Sequence, residues 1–142
     1  MKKVKDILKR KGTNLYSVPK TTIVRDALKT MAEKNIGSIL IMDGDKYLGI
    51  LTERDYATKV ILQGRSSTEV TVQDIMSTEH PHISKEHTIE QCMQIMSENN
   101  VRYLPVFENE QLIGLVSILD VIKETIAQQK ETIAQLESYI HS

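Results

Sequence analysis

The sequence has a single cysteine in 142 residues, so it cannot close an internal disulfide, and an intracellular protein is the natural expectation. It has no apolar run near the roughly 20 residues that span a bilayer. Its first residues, Met1-Lys2-Lys3-Val4-Lys5-Asp6, lack the apolar core of a signal peptide, so a cytoplasmic location and no membrane partner are expected. No charge of one sign dominates: 18 Lys and Arg stand against 19 Asp and Glu, a formal net of −1. A nucleic-acid binder is usually far more basic, which argues against that class. What is present is globular in character, 40% hydrophobic and 26% charged. The length suits one compact unit or two very small ones and excludes a large catalytic barrel.

The small net charge conceals an asymmetry. Residues 1–71 hold 14 basic and 8 acidic residues, whereas residues 72–142 hold 4 and 11, so the balances are +6 and −7. Opposite halves can attract each other within or between chains, or can be two differently solvated surfaces.

The chain also repeats itself. A shift of 65 positions aligns residues 24–58 with 89–123 without gaps: Met31 meets Met96, Asn35 meets Asn100, Gly49 meets Gly114 and Asp55 meets Asp120. A shift of 68 aligns Val4-Lys5-Asp6-Ile7-Leu8 with Val72-Gln73-Asp74-Ile75-Met76, so the first copy has a longer early loop. In each copy an apolar stripe at helical spacing, Val24, Ala27, Leu28 and Met31 or Ile89, Cys92, Met93 and Met96, predicts a helix with one buried face. Apolar runs at 36–42 and 101–107, turns at 43–46 and 108–111 and second runs at 47–51 and 112–116 predict paired strands. A further helix opens at Thr52 or Ser117. Each half therefore reads strand–helix–strand–strand–helix, too small to bury enough surface alone, and the halves are expected to pack as a pair.

Both copies carry Gly-apolar-apolar-Ser/Thr-x-x-Asp: Gly49-Ile50-Leu51-Thr52-Glu53-Arg54-Asp55 and Gly114-Leu115-Val116-Ser117-Ile118-Leu119-Asp120. Ser or Thr with an acid three residues later resembles a capping box, with Asp in place of Glu or Gln. The same geometry also serves a ligand: free N–H groups at a helix start bind phosphate, the hydroxyl adds a hydrogen bond, and the carboxylate accepts ribose hydroxyls.

Together with Ile7-Leu8-Lys9-Arg10-Lys11-Gly12, Glu33-Lys34-Asn35-Ile36-Gly37, Gly64-Arg65-Ser66-Ser67, Asp74-Ile75-Met76-Ser77 and Val101-Arg102-Tyr103-Leu104-Pro105-Val106, the doubled motif resembles a tandem pair of cystathionine-β-synthase (CBS) domains, over roughly residues 4–125. Small stand-alone bacterial CBS-pair proteins resemble it most. The resemblance implies an α/β (α+β) fold of two β-α-β-β-α units related by a pseudo-twofold axis, with domains at 4–66 and 67–125 and a C-terminal helical extension at 126–142. It implies a non-enzymatic sensor of adenosine-containing ligands such as AMP, ADP, ATP or NAD(H), held in clefts between the paired sheets.

In that family the motif Asp holds the ribose and the Ser/Thr lies near it or the phosphate, here Asp55 with Thr52 and Asp120 with Ser117. The adenine lies against the opposite domain. The Asp120 cleft is expected to use Tyr16, Ile36, Gly37 and Ser38, and the Asp55 cleft His82, Val101, Arg102 and Tyr103. The resemblance also lets Arg102 face the phosphate of the Asp120 site. Arg54, Lys59 and Arg65 could meet a second phosphate or stand as solvated surface charges.

Other features carry less. His80, His82 and His87 lack a companion cluster at a metal-ligand spacing and read as loop histidines, so no metal is expected. Cys92 falls on the buried helix face. Lys11-Gly12 resembles a fragment of a phosphate loop without the glycine-rich remainder. No nucleophile–base pair is evident, so no catalytic residue is expected. In the tail, Ile122, Ile126, Gln129, Ile133, Leu136 and Ile140 are spaced 4, 3, 4, 3 and 4, a heptad seam that suits a homodimer or packing on the chain's own domain. Three function classes follow: a nucleotide-sensing module that signals to an unidentified protein target, a constitutive dimeric scaffold in which the motif acids only cap helices, and a DNA-binding regulator, which lacks a recognition-helix signature.

Overall fold

The computed structural model describes residues 1–12 and 14–141. The elements run α1 (Val4–Lys11), β1 (Ser17–Pro19), α2 (Val24–Lys34), β2 (Ser38–Asp43), β3 (Lys46–Thr52), α3 (Glu53–Tyr56) continuing into a π-helical turn (Ala57–Ile61), α4 (Val72–Ile75), α5 (Ile89–Asn99), β4 (Tyr103–Glu108), β5 (Gln111–Ser117) and α6 (Ile118–His141). The chain forms two compact units that cut across the sequence repeat. One gathers residues 14–80 with 109–112; the other gathers residues 1–12, Pro81–Glu108 and 113–141. The segment before each repeat therefore folds with the other copy. Val72 and Ile75 of α4 are buried in the core of the first-copy unit beside Ile39, Ile41 and Leu51. Val4 and Ile7 of α1 are buried in the second-copy core beside Leu104, Val106 and Val116.

In the first-copy unit β1 runs parallel to β2, pairing Ser17 with Leu40, and β2 runs antiparallel to β3, pairing Ser38 with Thr52. The second-copy sheet is β4 and β5, and its leading strand shrinks to an isolated parallel bridge of Ile83 with Val106. The cause is one residue. Leu40 donates its N–H to Tyr16 O at 3.1 Å. Its repeat partner is Pro105, which has no N–H, so the matching bond cannot form and only Ile83 N–H to Pro105 O (3.0 Å) and Phe107 N–H to Ile83 O (2.8 Å) remain.

The buried helix faces follow the expected period with one exception. Val24, Ala27 and Met31 are buried on α2, and Ile89, Cys92 and Met96 on α5, but Leu28 is only partly buried and Met93 is 39% exposed. The i+4 position sits on the shoulder of the stripe rather than against the sheet. The matched asparagines end these helices: Asn35 and Asn100 adopt φ of +54° and +53°, the left-handed cap that asparagine tolerates. Asp6 and Asp74 start theirs by accepting the N–H of Lys3 (2.9 Å) and Thr71 (3.1 Å). No helix among the described residues is long and apolar enough to cross a membrane.

Candidate functional site

Each motif glycine lies at the point where the borrowed segment crosses the second strand of its sheet. A Cβ on Gly49 would lie 2.7 Å from Ser77 O, the oxygen that accepts Ile50 N–H at 3.0 Å. A Cβ on Gly114 would lie 2.6 Å from Leu8 Cδ2. A side chain at Gly49 would meet a fixed backbone oxygen, and one at Gly114 would require Leu8 to turn aside. The segments so admitted then supply groups to the motif acids a few residues on.

Asp55 and Asp120 both close a capping box. Asp55 Oδ2 accepts from Thr52 N–H (2.9 Å) and Thr52 Oγ1 (3.0 Å), while Asp55 N–H donates back to Thr52 Oγ1 (3.1 Å). Asp120 Oδ2 accepts from Ser117 N–H (2.8 Å), and Asp120 N–H donates to Ser117 Oγ (3.2 Å). The capping role read from the sequence is real in both copies.

The remaining surroundings differ. The other oxygen of Asp55, Oδ1, accepts from Ser77 Oγ at 2.6 Å and from Lys59 Nζ at 3.0 Å. Lys59 is fixed there because its ammonium also donates to Ile75 O (3.0 Å) and Ser77 Oγ (3.4 Å). It is thus turned onto its own motif acid rather than standing as a solvated cation. Asp55 is buried, and both of its oxygens are engaged. At Asp120 the cation is Lys11, the last residue of α1, whose Nζ lies 2.8 Å from Oδ2 and 2.8 Å from Leu115 O. No group among the described residues donates to Oδ1 of Asp120. Helix α1 is a turn longer than α4, which lets Lys11 reach the acid; α4 stops at Ile75, and the chain beyond it supplies Ser77 instead.

The other candidates sort by unit. In the first-copy unit, Gly37 O accepts the N–H of Glu53 (3.2 Å), which fixes the start of β2 against the start of α3. Ser38 is buried and Ile36 half-buried. Tyr16 is exposed, with Lys34 Nζ 5.5 Å from its ring centroid. Arg54 and Arg65 are exposed, the latter anchored through its N–H to Val60 O (2.9 Å).

In the second-copy unit Arg102 is exposed and precedes β4 rather than lying within a strand, which corrects the sequence expectation. Its carbonyl accepts Ile118 N–H (2.9 Å), the exact counterpart in the repeat of Gly37 O to Glu53 N–H, so its backbone abuts the start of α6 beside Ser117 and Asp120. Val101 and Tyr103 flank it, both half-buried. The His82 ring stacks on Phe107 with centroids 4.1 Å apart.

Three groups at the motif acids were missed by sequence reasoning: Lys11, Ser77 and His80. The first two stood inside segments that carry the family resemblance, but nothing local ties them to an acid far along the chain. His80 lies where Asp55, Lys59 and Arg54 all act on it, and burial holds its imidazole below its ordinary value of 6.5 against the opposing pull of Asp55. Cys92 is fully buried, and burial raises its thiol to about 11, so it is an unreactive core residue. Among the described residues no group of three or more His, Cys, Asp or Glu is placed to hold a metal ion.

A model of the CBS domain matches the chain twice, at residues 4–61 and 72–126. A mitochondrial CBS domain-containing protein of Arabidopsis thaliana is 35% identical over 96% of this chain and 71% of its own length. Among solved structures, a putative signal-transduction protein with CBS domains from Burkholderia ambifaria superposes with a TM-score of 0.85 at 45% identity, covering 89% of this chain and 96% of the other. A hexameric CBS-CP12 protein from bloom-forming cyanobacteria superposes with a TM-score of 0.74 at 25% identity, covering 86% and 70%. Pairs of CBS domains are generally regulatory modules, and two tandem matches spread over most of the sequence place this chain in the CBS-domain family.

Proposed function

We propose that the protein is a cytoplasmic regulatory module, not an enzyme, that binds an adenosine-containing ligand (AMP, ADP, ATP or NAD(H)) at its motif acids and signals occupancy to a protein target. The duplicated motif and the family membership support this reading, and one observation carries it to a particular site. A ribose cis-diol needs a carboxylate oxygen free to accept it, and Asp120 Oδ1 has no donor among the described residues whereas both oxygens of Asp55 are engaged. Asp120 with Ser117 is therefore the primary site in this reading, and Arg102, whose carbonyl accepts Ile118 N–H at the start of α6, is the proposed phosphate partner. The Asp55 site binds more weakly because a ligand there must displace both Ser77 and a Lys59 that is pinned to Ile75 O, whereas at Asp120, among the described residues, it meets Lys11 alone.

Calorimetry with AMP, ATP and NADH tests this on the full chain. Asp120→Asn keeps the shape but removes charge-assisted acceptance and is expected to weaken the tighter binding event by roughly 1.5–3 kcal/mol. Asp55→Asn should leave that event in place. Unchanged affinity in both variants reduces the motif acids to helix caps and favours the scaffold reading.

The same proposal includes a homodimer. From Gln129 to His141 every residue of α6 is exposed, and its apolar seam residues Ile133, Leu136 and Ile140 are more than half exposed. A second copy laid antiparallel sets Ile122 against Ile140, Ile126 against Leu136 and Gln129 against Ile133, and brings Lys123 opposite Glu137 on each side. A parallel pair offers no opposite charges at the flanking positions. In the antiparallel pair Lys130 meets its own copy at the dyad, a repulsion softened by solvent and salt.

A further inference from the structure

Resting on the adenosine-binding reading above, we infer that Lys11 makes the Asp120 site selective for phosphorylated adenosines over adenosine itself. Lys11 Nζ sits 2.8 Å from Asp120 Oδ2, the oxygen that already accepts Ser117 N–H. The motif acid is thus paired with a cation of the chain itself. A ribose cis-diol reaching both oxygens of one carboxylate competes with that ammonium for Oδ2. Adenosine evicts the cation and supplies no anion in return, so its binding loses an ion pair. A nucleotide evicts the cation and brings a phosphate on the same molecule to receive it.

Two features suit Lys11 to this exchange. Its side chain is 34% exposed, so the ammonium can turn toward an arriving anion, while the Asp120 side chain is only 15% exposed and stays in place. The residue ends a helix that is anchored independently of the site by Val4 and Ile7 in the core and by Arg10 Nη1 on the buried Glu124 carboxylate at 3.1 Å, so α1 stays docked when Lys11 lets go. The first copy has no equivalent. Repeat alignment sets Glu79 against Lys11, and the cation on Asp55 comes from Lys59 of the adjoining helical turn, which is pinned to Ile75 O and Ser77 Oγ. Selection by exchange therefore belongs to the Asp120 site alone.

The test is calorimetric binding of AMP and adenosine to the full chain and to its Lys11→Met and Lys11→Arg variants, with thermal unfolding to confirm that each is folded. Lys11→Met is expected to lower the ratio of AMP to adenosine affinity by about tenfold, largely by weakening AMP, with adenosine unchanged or tighter. Lys11→Arg, which keeps the charge, should keep most of the preference. If Lys11→Met weakens both ligands equally, or leaves the ratio where it was, Lys11 is a structural ion-pair partner and the inference fails while nucleotide binding stands. A wild-type chain that binds neither ligand overturns both.

Discussion

At the scale of single residues, the two motif glycines make unequal demands. The atom facing Gly49 is a backbone oxygen that is itself paired with Ile50 N–H, so it cannot retreat without breaking that bridge. The atom facing Gly114 is the tip of a leucine, which can turn aside. Gly49→Ala is therefore expected to destabilise the protein by about 2–3 kcal/mol and Gly114→Ala by roughly 1 kcal/mol, measured by urea unfolding of both variants. His80 adds a pH dependence. Burial makes the folded state bind its proton less readily than the unfolded chain does, so stability is full above the ordinary 6.5 and falls as pH drops through the folded-state value. Unfolding at pH 7.5 and 5.5 should show a smaller acid loss for His80→Gln than for the wild type. An equal loss would assign the acid sensitivity to other groups. The glycines were visible in the sequence as a repeated motif, but their reason was not, because the atoms they make room for belong to residues outside the motif.

At the scale of elements, the helix starts at Thr52 and Ser117 were legible, and the structure shows the same local capping at further positions. Asp6, Asp55, Asp74 and Asp120 each stand three residues into a turn and accept the N-cap N–H, and Asn35 and Asn100 close α2 and α5. These are local bonds, fixed by spacing along one segment. The docking of α1 was not legible. Four ion pairs tie its neighbourhood to α6: Lys2 to Glu124 (3.9 Å) and Glu131 (3.6 Å), Arg10 to Glu124 (3.1 Å) and Lys11 to Asp120 (2.8 Å). Glu124 is buried among otherwise exposed charges, and the seam predicted for α6 gave no sign of it. The distal half of α6 carries its own test. Lys123→Glu is expected to weaken dimerisation and Lys123→Glu with Glu137→Lys to restore it, read by sedimentation at low salt where exposed pairs are least screened. A double variant no tighter than the single one would remove the antiparallel register.

For the molecule as a whole, an internal repeat with both motifs retained surrounds its two motif acids differently. Three differences between the copies account for this. Pro105 in place of Leu40 removes one sheet bond; the longer α1 places Lys11 on Asp120; the shorter α4 leaves Ser77 and Lys59 on Asp55. Sequence alignment of the copies shows the substitutions but scores both motifs as intact. The difference lies in what surrounds each carboxylate.

The sequence by itself determined the doubled architecture, the helix–strand–strand–helix order common to both copies, the capping role of Asp55 and Asp120 and the pair of motifs, because each of these is a pattern of spacing along one stretch of chain. Tertiary structure alone decided that α1 folds with the second copy and α4 with the first, and hence which cation meets which acid. Lys11 and Asp120 stand 109 residues apart. A short amphipathic helix announces that it will bury one face, but the surface that receives it is chosen by packing across the whole fold, where two similar sheets offer nearly the same groove.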